Sequence, residues 1–110
     1  MNDYCCEGAE KALANIPADT TVTNLSEFFK MFGDYSRIRL LFALKQGDLC
    51  VQDLSSILKM TQPAVSHQIK MLRLHKIVGA RREGKKIFYK LIDNHILEIL
   101  ETGLVHLGHE

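Results

Sequence analysis

A mainly α-helical fold with one β-hairpin is predicted by three features of this 110-residue sequence. Much of the chain falls into short segments whose apolar residues recur at helical spacing, with Ser, Thr, Asp or Gly at their ends. Residues 48–75 hold two such segments joined by a tight turn. Residues 76–91 change to two strand-like runs around Glu83-Gly84. The length suits one domain. Its core is modest, which leaves apolar surface for a subunit interface.

The elements are expected in the following order. A short helix from about Glu7 to Asn15, closed by Pro17, lies in an N-terminal arm of residues 1–20. Leu25–Met31 reads as a second helix, capped from Thr23 or Asn24 and ended by Gly33. Asp34 or Ser36 opens a third, "SRIRLLFALKQG", which Gly47 ends. Asp48 can cap a fourth, "LCVQDLSSILK", and Thr61 a fifth, "QPAVSHQIKMLRLH", with Pro63 tolerated in its first turn. Leu54, Ile57 and Leu58 can pack inward from one, and Val65, Ile69 and Leu72 from the other. Two short capped helices across a tight turn form a helix-turn-helix. "IVGARREGKKIFYKL" then makes a hairpin, and residues 92–109 form a closing helix.

Charge is unevenly spread. The net charge is +1, yet residues 61–90 contain eight basic side chains and one acid, so that segment is +7 and the rest −6. A cationic block on a nearly neutral chain suits a polyanion met by one face. Gln62, Ser66, His67 and Gln68, early in the fifth helix, can reach base edges in a major groove. Lys70 and Arg73 can hold phosphates further along. Arg81, Arg82, Lys85 and Lys86 crowd the hairpin tip, as in a wing lying on the DNA backbone. Helix-turn-helix and basic hairpin together predict a winged helix-turn-helix.

Other classes fit poorly. No apolar run reaches membrane-spanning length, and the first residues lack signal-peptide character, so a cytoplasmic protein is expected. Three cysteines do not make a secreted disulfide framework. No P-loop, dinucleotide fingerprint or nucleophile motif is present, and no enzyme activity is expected.

Residues 23–109 closely resemble the ArsR/SmtB family of bacterial metal-sensing repressors. The stretches that carry the resemblance are "GDYSRIRLLFAL", "GDLCVQDLSSIL", "TQPAVSHQIKMLRLHKIV", "GKKIFYKL" and the closing helix. It implies a homodimer of winged helix-turn-helix subunits on an imperfectly palindromic operator, released when a metal ion binds.

The closing helix holds three of the five histidines. At 100° per residue, His95 and His106 return to within about 20° of one face, yet they stand about 16 Å apart along the axis. His109 lies three residues further on. One ion needs ligands at about 2 Å, so one straight helix cannot bring His95 and His106 together. Two antiparallel copies crossing near Leu100–Glu101 can, with small Thr102 and Gly103 at the crossing and Ile96, Ile99, Leu100 and Leu104 as apolar surface. Asp93, at the helix start, can supply a fourth ligand, and two-fold symmetry makes two shared sites. The same four positions match the family's zinc site on its last helix. Three imidazoles and a carboxylate suit zinc, with cobalt and nickel as alternatives. A closed set of four leaves no position for a catalytic water.

"LCVQDL" resembles the family's "ELCVCDL" metal box, with Gln52 in place of its second cysteine. The resemblance makes Cys50 and Asp53, joined by Cys5 and Cys6 of the arm, a second candidate site. Thiolates there would favour cadmium or lead, or the thiols would serve as a redox sensor. Cys50 in a core and Cys5-Cys6 on a mobile arm is the plainer alternative. His67 and His75 lack ligand spacing with the closing set; His75, near a helix end, suits the helix dipole.

Overall fold

The computed structural model describes residues 5–109. It divides into two compact units, Met1–Gly33 and Asp34–Glu110.

In the first unit, α1 spans Ala9–Asn15 and α2 spans Asp19–Phe32. Pro17 separates them, since it cannot donate into a continuing helix. α2 starts well before the expected Thr23 or Asn24. Its first turn opens on Asp19, whose carboxylate complements the helix dipole. Phe28, Phe29 and Phe32 form a ring cluster with centroids 5.0–5.5 Å apart. Gly33 ends the helix, its N–H donating to Phe29 O at 2.9 Å.

The second unit carries the remaining elements. α3, Tyr35–Lys45, is capped by Asp34, whose Oδ2 accepts from Arg37 N at 3.1 Å. Leu49–Cys50 then form a two-residue strand, β1, and α4 runs Val51–Leu58. Asp48 therefore does not cap the fourth helix; pairing of Leu49 and Cys50 with Tyr89 and Phe88 delays its start. Lys59 turns the chain in the left-handed region, at φ 55°. α5, Gln62–Leu74, is capped by Thr61, whose Oγ1 accepts from Ala64 N at 3.3 Å.

β2, Val78–Glu83, and β3, Lys86–Leu91, pair antiparallel, giving the sheet order β1-β3-β2. Glu83 pairs with Lys86, so the turn residues are Gly84 and Lys85, one step beyond the expected Glu83-Gly84. Gly84 has φ 63°. A glycine with positive φ at the first central position is the type II′ pattern, which matches strand twist.

α6 spans Asn94–His106. Asp93 Oδ1 caps it, accepting from His95 N at 2.9 Å and Ile96 N at 3.3 Å. The helix ends three residues earlier than expected. Gly108 adopts φ 85°, and its N–H bonds to Val105 O at 3.0 Å while His109 N bonds to Leu104 O at 2.8 Å. This is a Schellman turn, so His109 stands beyond the helix and off its stripe.

α3 packs on α4 and β3, α4 on α5, and α5 on β2. Leu40, Leu41, Leu54, Val65, Leu72, Ile77 and Ile96 are fully buried. Ile57, expected to face inward, is half exposed. Ile96 and Leu100, expected at a subunit interface, are buried within one chain; Val105 and Leu107 are the exposed apolar residues near the end of α6. Among the described residues no helix is long and apolar enough to cross a membrane.

Candidate nucleic-acid interface and metal centre

α5 has two faces of opposite chemistry. Val65, Ile69 and Leu72 are buried, while Gln62, Ser66, His67, Lys70 and Arg73 are exposed. Gln68 is half-buried, and its Oε1 accepts from Arg37 Nε of α3 at 2.6 Å. His75 lies past the end of α5, and its Nδ1 donates to Met71 O at 2.9 Å. A cavity of about 360 Å³ opens beside α5, lined by Ser66, Ile69, Lys70, Arg73, Leu74 and Tyr89. Tyr89 was absent from the sequence-based set. Its strand alternation alone gave no sign that it would share a cleft with two cations.

The hairpin divides its charges. Arg81 Nη1 bonds to Glu83 Oε2, its Nε lies 3.1 Å from Asp48 Oδ2, and its guanidinium sits 4.7 Å from the Phe88 ring centroid. The hydrogen bonds it donates to Glu83 and then Asp48 hold its pKa above the ordinary arginine value. Arg81 thus acts as a strut between the wing and the loop before β1. Arg82 Nε donates to Gly84 O at 3.2 Å and steadies the turn. Lys85 and Lys86 are exposed at the tip, with no ion pair among the described residues.

The ligand candidates stand at opposite ends of α6. At its start, Asp93 Oδ1 and His95 Nδ1 are 3.4 Å apart, with His95 91% exposed. Both capping bonds fall on Oδ1 of Asp93. His106 ends the helix and His109 follows the glycine turn, both exposed. Among the described residues no three metal-donor side chains converge within one chain. His109 instead borders a cavity of about 360 Å³ with Lys45, Glu101, Leu104 and Val105.

The cysteines fall in different units. Cys5 and Cys6 are exposed ahead of α1, their Sγ atoms 3.7 Å apart. Cys50 is 6% exposed at the start of α4, and Asp53 is exposed in that helix's first turn. Cys50 lines a separate cavity of about 240 Å³ with Gln52, Lys85, Lys86 and Tyr89 among its walls.

An exposed polar and basic helix, held by a preceding helix across a left-handed turn and followed by a basic hairpin, defines a winged helix-turn-helix DNA-binding protein. Residues 34–78 match the family described as "Bacterial regulatory protein, arsR family". The chain belongs to this ArsR family of transcriptional regulators. It is 41% identical over 83 residues to a "Transcriptional repressor SmtB homolog" of Synechocystis sp., a match covering 76% of this chain and 63% of that relative. It is 32% identical to the "Cadmium resistance transcriptional regulatory protein CadC" of Listeria innocua, over 94% of this chain and 93% of the relative. Among solved structures it is similar to the "AntR antimony-specific transcriptional repressor", with TM-score 0.73 and 33% identity over 88% of this chain and 90% of that one.

Proposed function

We propose that this chain is a homodimeric, zinc-responsive transcriptional repressor that releases operator DNA when α6 takes up the ion. The observation that carries the reading is the split donor set of α6. Asp93 and His95 stand together at its start, while His106 and His109 are exposed at its end, about 16 Å away. An antiparallel crossing of two copies lets Asp93 and His95 of one protomer share an ion with the partner's His106 and His109. Asp93 can ligate through Oδ2 and keep Oδ1 on the helix cap. The relatives' names include cadmium and antimony; zinc is preferred here on ligand chemistry, because imidazole and carboxylate suit it better than they suit soft ions.

In the absence of zinc the dimer presents Gln62, Ser66 and His67 to successive major grooves, while Lys70, Arg73, Lys85 and Lys86 hold phosphates. Zinc-loaded α6 helices favour a dimer geometry in which the two α5 helices no longer match the operator. A 100-fold loss of DNA affinity needs a coupling of about 2.7 kcal/mol. The coupling is reciprocal, so operator DNA weakens zinc binding by the same factor.

A second reading has a specific observation behind it. The 3.7 Å spacing of Cys5 and Cys6 Sγ suits two thiolates on one soft ion, or their oxidation. Cys50 and Asp53 are the other members proposed for that site.

The deciding experiment is a zinc titration of operator-bound protein, read by fluorescence anisotropy at fixed salt. The wild type is run beside a variant with Cys5, Cys6 and Cys50 all replaced by serine. Zinc releases DNA from both if α6 is the sensor. Loss of the response in the serine variant moves sensing to the thiols. Equal zinc affinity with and without operator excludes derepression through α6.

The DNA face has its own test. Lys70→Ala and Arg73→Ala weaken binding about equally for operator and unrelated duplex. Each lowers the slope of log affinity against log salt by about 1. An unchanged slope would place both cations off the phosphates.

A further inference from the structure

We infer that α3 is the member through which a change at α6 reaches the recognition helix, with Lys45, Glu101, Arg37 and Gln68 as its positioning residues. This inference rests on the zinc-responsive reading above.

α3 is held at both ends. In its last turn Lys45 Nζ lies 3.1 Å from Glu101 Oε1 of α6. In its first turn Arg37 Nε donates to Gln68 Oε1 of α5 at 2.6 Å, in a part-buried setting. Between them, Arg39 Nη1 donates to Leu58 O at 3.1 Å, at the end of α4. Leu40, Leu41 and Leu44 are buried along the same helix. A helix packed at interior density shifts as a body more readily than it bends, so displacement at one end is felt at the other.

Each end touches a residue placed to matter. Glu101 lies midway between His95 and His106, where two antiparallel copies of α6 would cross. Repositioning of α6 there must carry the Lys45–Glu101 pair along or break it. His109 borders the same cavity as Lys45 and Glu101, so moving its imidazole to a shared ion alters the surroundings of that pair. At the other end, Gln68 follows Ser66 and His67 and precedes Lys70. Its bond to Arg37 ties the flank of α5 to α3, and the setting of α5 decides which side chains face a groove.

The two bonds differ in strength. Lys45 and Glu101 side chains are 30% and 50% exposed, and pairs of that kind are individually weak. Breaking one should reduce zinc coupling about three- to fivefold. The Arg37–Gln68 bond is charge-assisted and shielded, so its loss should lower metal-free DNA affinity about tenfold.

The test uses the full-length protein. Metal-free operator affinity, zinc affinity without DNA, and zinc-induced release are measured for the wild type, Glu101→Gln, Lys45→Met, the reversed pair Lys45→Glu with Glu101→Lys, and Gln68→Met. The expected result is that Glu101→Gln and Lys45→Met keep both affinities but lose about three- to fivefold in release. The reversed pair recovers release, and Gln68→Met shows the loss of metal-free affinity. Release equal to wild type in Glu101→Gln and Lys45→Met overturns the α3 route and leaves the metal reading standing. Failure of the reversed pair to recover also overturns it. A wild type that keeps its DNA at saturating zinc refutes the metal reading, and this inference falls with it.

Discussion

His106→Ala is expected to leave metal-free operator binding unchanged and to abolish release by zinc. The side chain is exposed at the last position of α6, and alanine is a better helix former than histidine, so the fold should tolerate the change. What is lost is one of four proposed donors, and three remaining ligands hold an ion far less firmly than a closed tetrahedral set. The whole coupling of about 2.7 kcal/mol then disappears from the DNA titration. Both anisotropy and calorimetric zinc titration read the outcome. A variant that still drops its DNA about 100-fold would falsify the assignment of His106. Asp93→Asn provides a control of a different kind. An asparagine side chain can still cap α6 through its carbonyl oxygen, so any lost zinc response reports ligation rather than helix damage.

Leu72→Ala should cost about 2–5 kcal/mol of unfolding free energy. Leu72 is fully buried on α5, on the face turned from Ser66, Lys70 and Arg73. Its truncation removes apolar contacts and leaves a cavity that the rigid neighbours fill only partly. Typical domains have about 5–15 kcal/mol in total, so the loss is a large fraction of the fold's stability. Leu74, two residues on, is 67% exposed, and Leu74→Ala should stay within about 0.5 kcal/mol. Urea unfolding followed by circular dichroism compares the two midpoints. Equal midpoints would contradict the facing of α5 described here.

The helix-turn-helix was readable because its determinants are local. Thr61 and Asp34 cap the helices they were expected to cap, and Val65, Ile69 and Leu72 recur at the spacing of one buried face. Several misreadings come from competition by partners distant in sequence. Asp48 looked like a cap until Arg81 claimed its carboxylate. Leu49 and Cys50 looked helical until β3 offered them a ladder. Arg37, 31 residues away, takes the oxygen of Gln68, a contact that no local pattern announces. The spacing of Asp93, His95 and His106 was legible for the opposite reason, as it is a property of one helix. Only His109 moved, because the left-handed turn at Gly108 ends the helix before it.

The place of β3 between β1 and β2 has a consequence for kinetics. A two-stranded hairpin projecting alone would be marginal in water and would sample many orientations before meeting a duplex. Here Tyr89 and Phe88 are laddered to Leu49 and Cys50, directly ahead of α4, so the wing is fastened to the body that carries the recognition helix. Little configurational freedom is left to surrender on docking, and preorganisation of this kind removes part of the entropic cost of association. Encounter with DNA should therefore be governed by diffusion and electrostatic steering, with no slow ordering of the hairpin to be seen in the association phase.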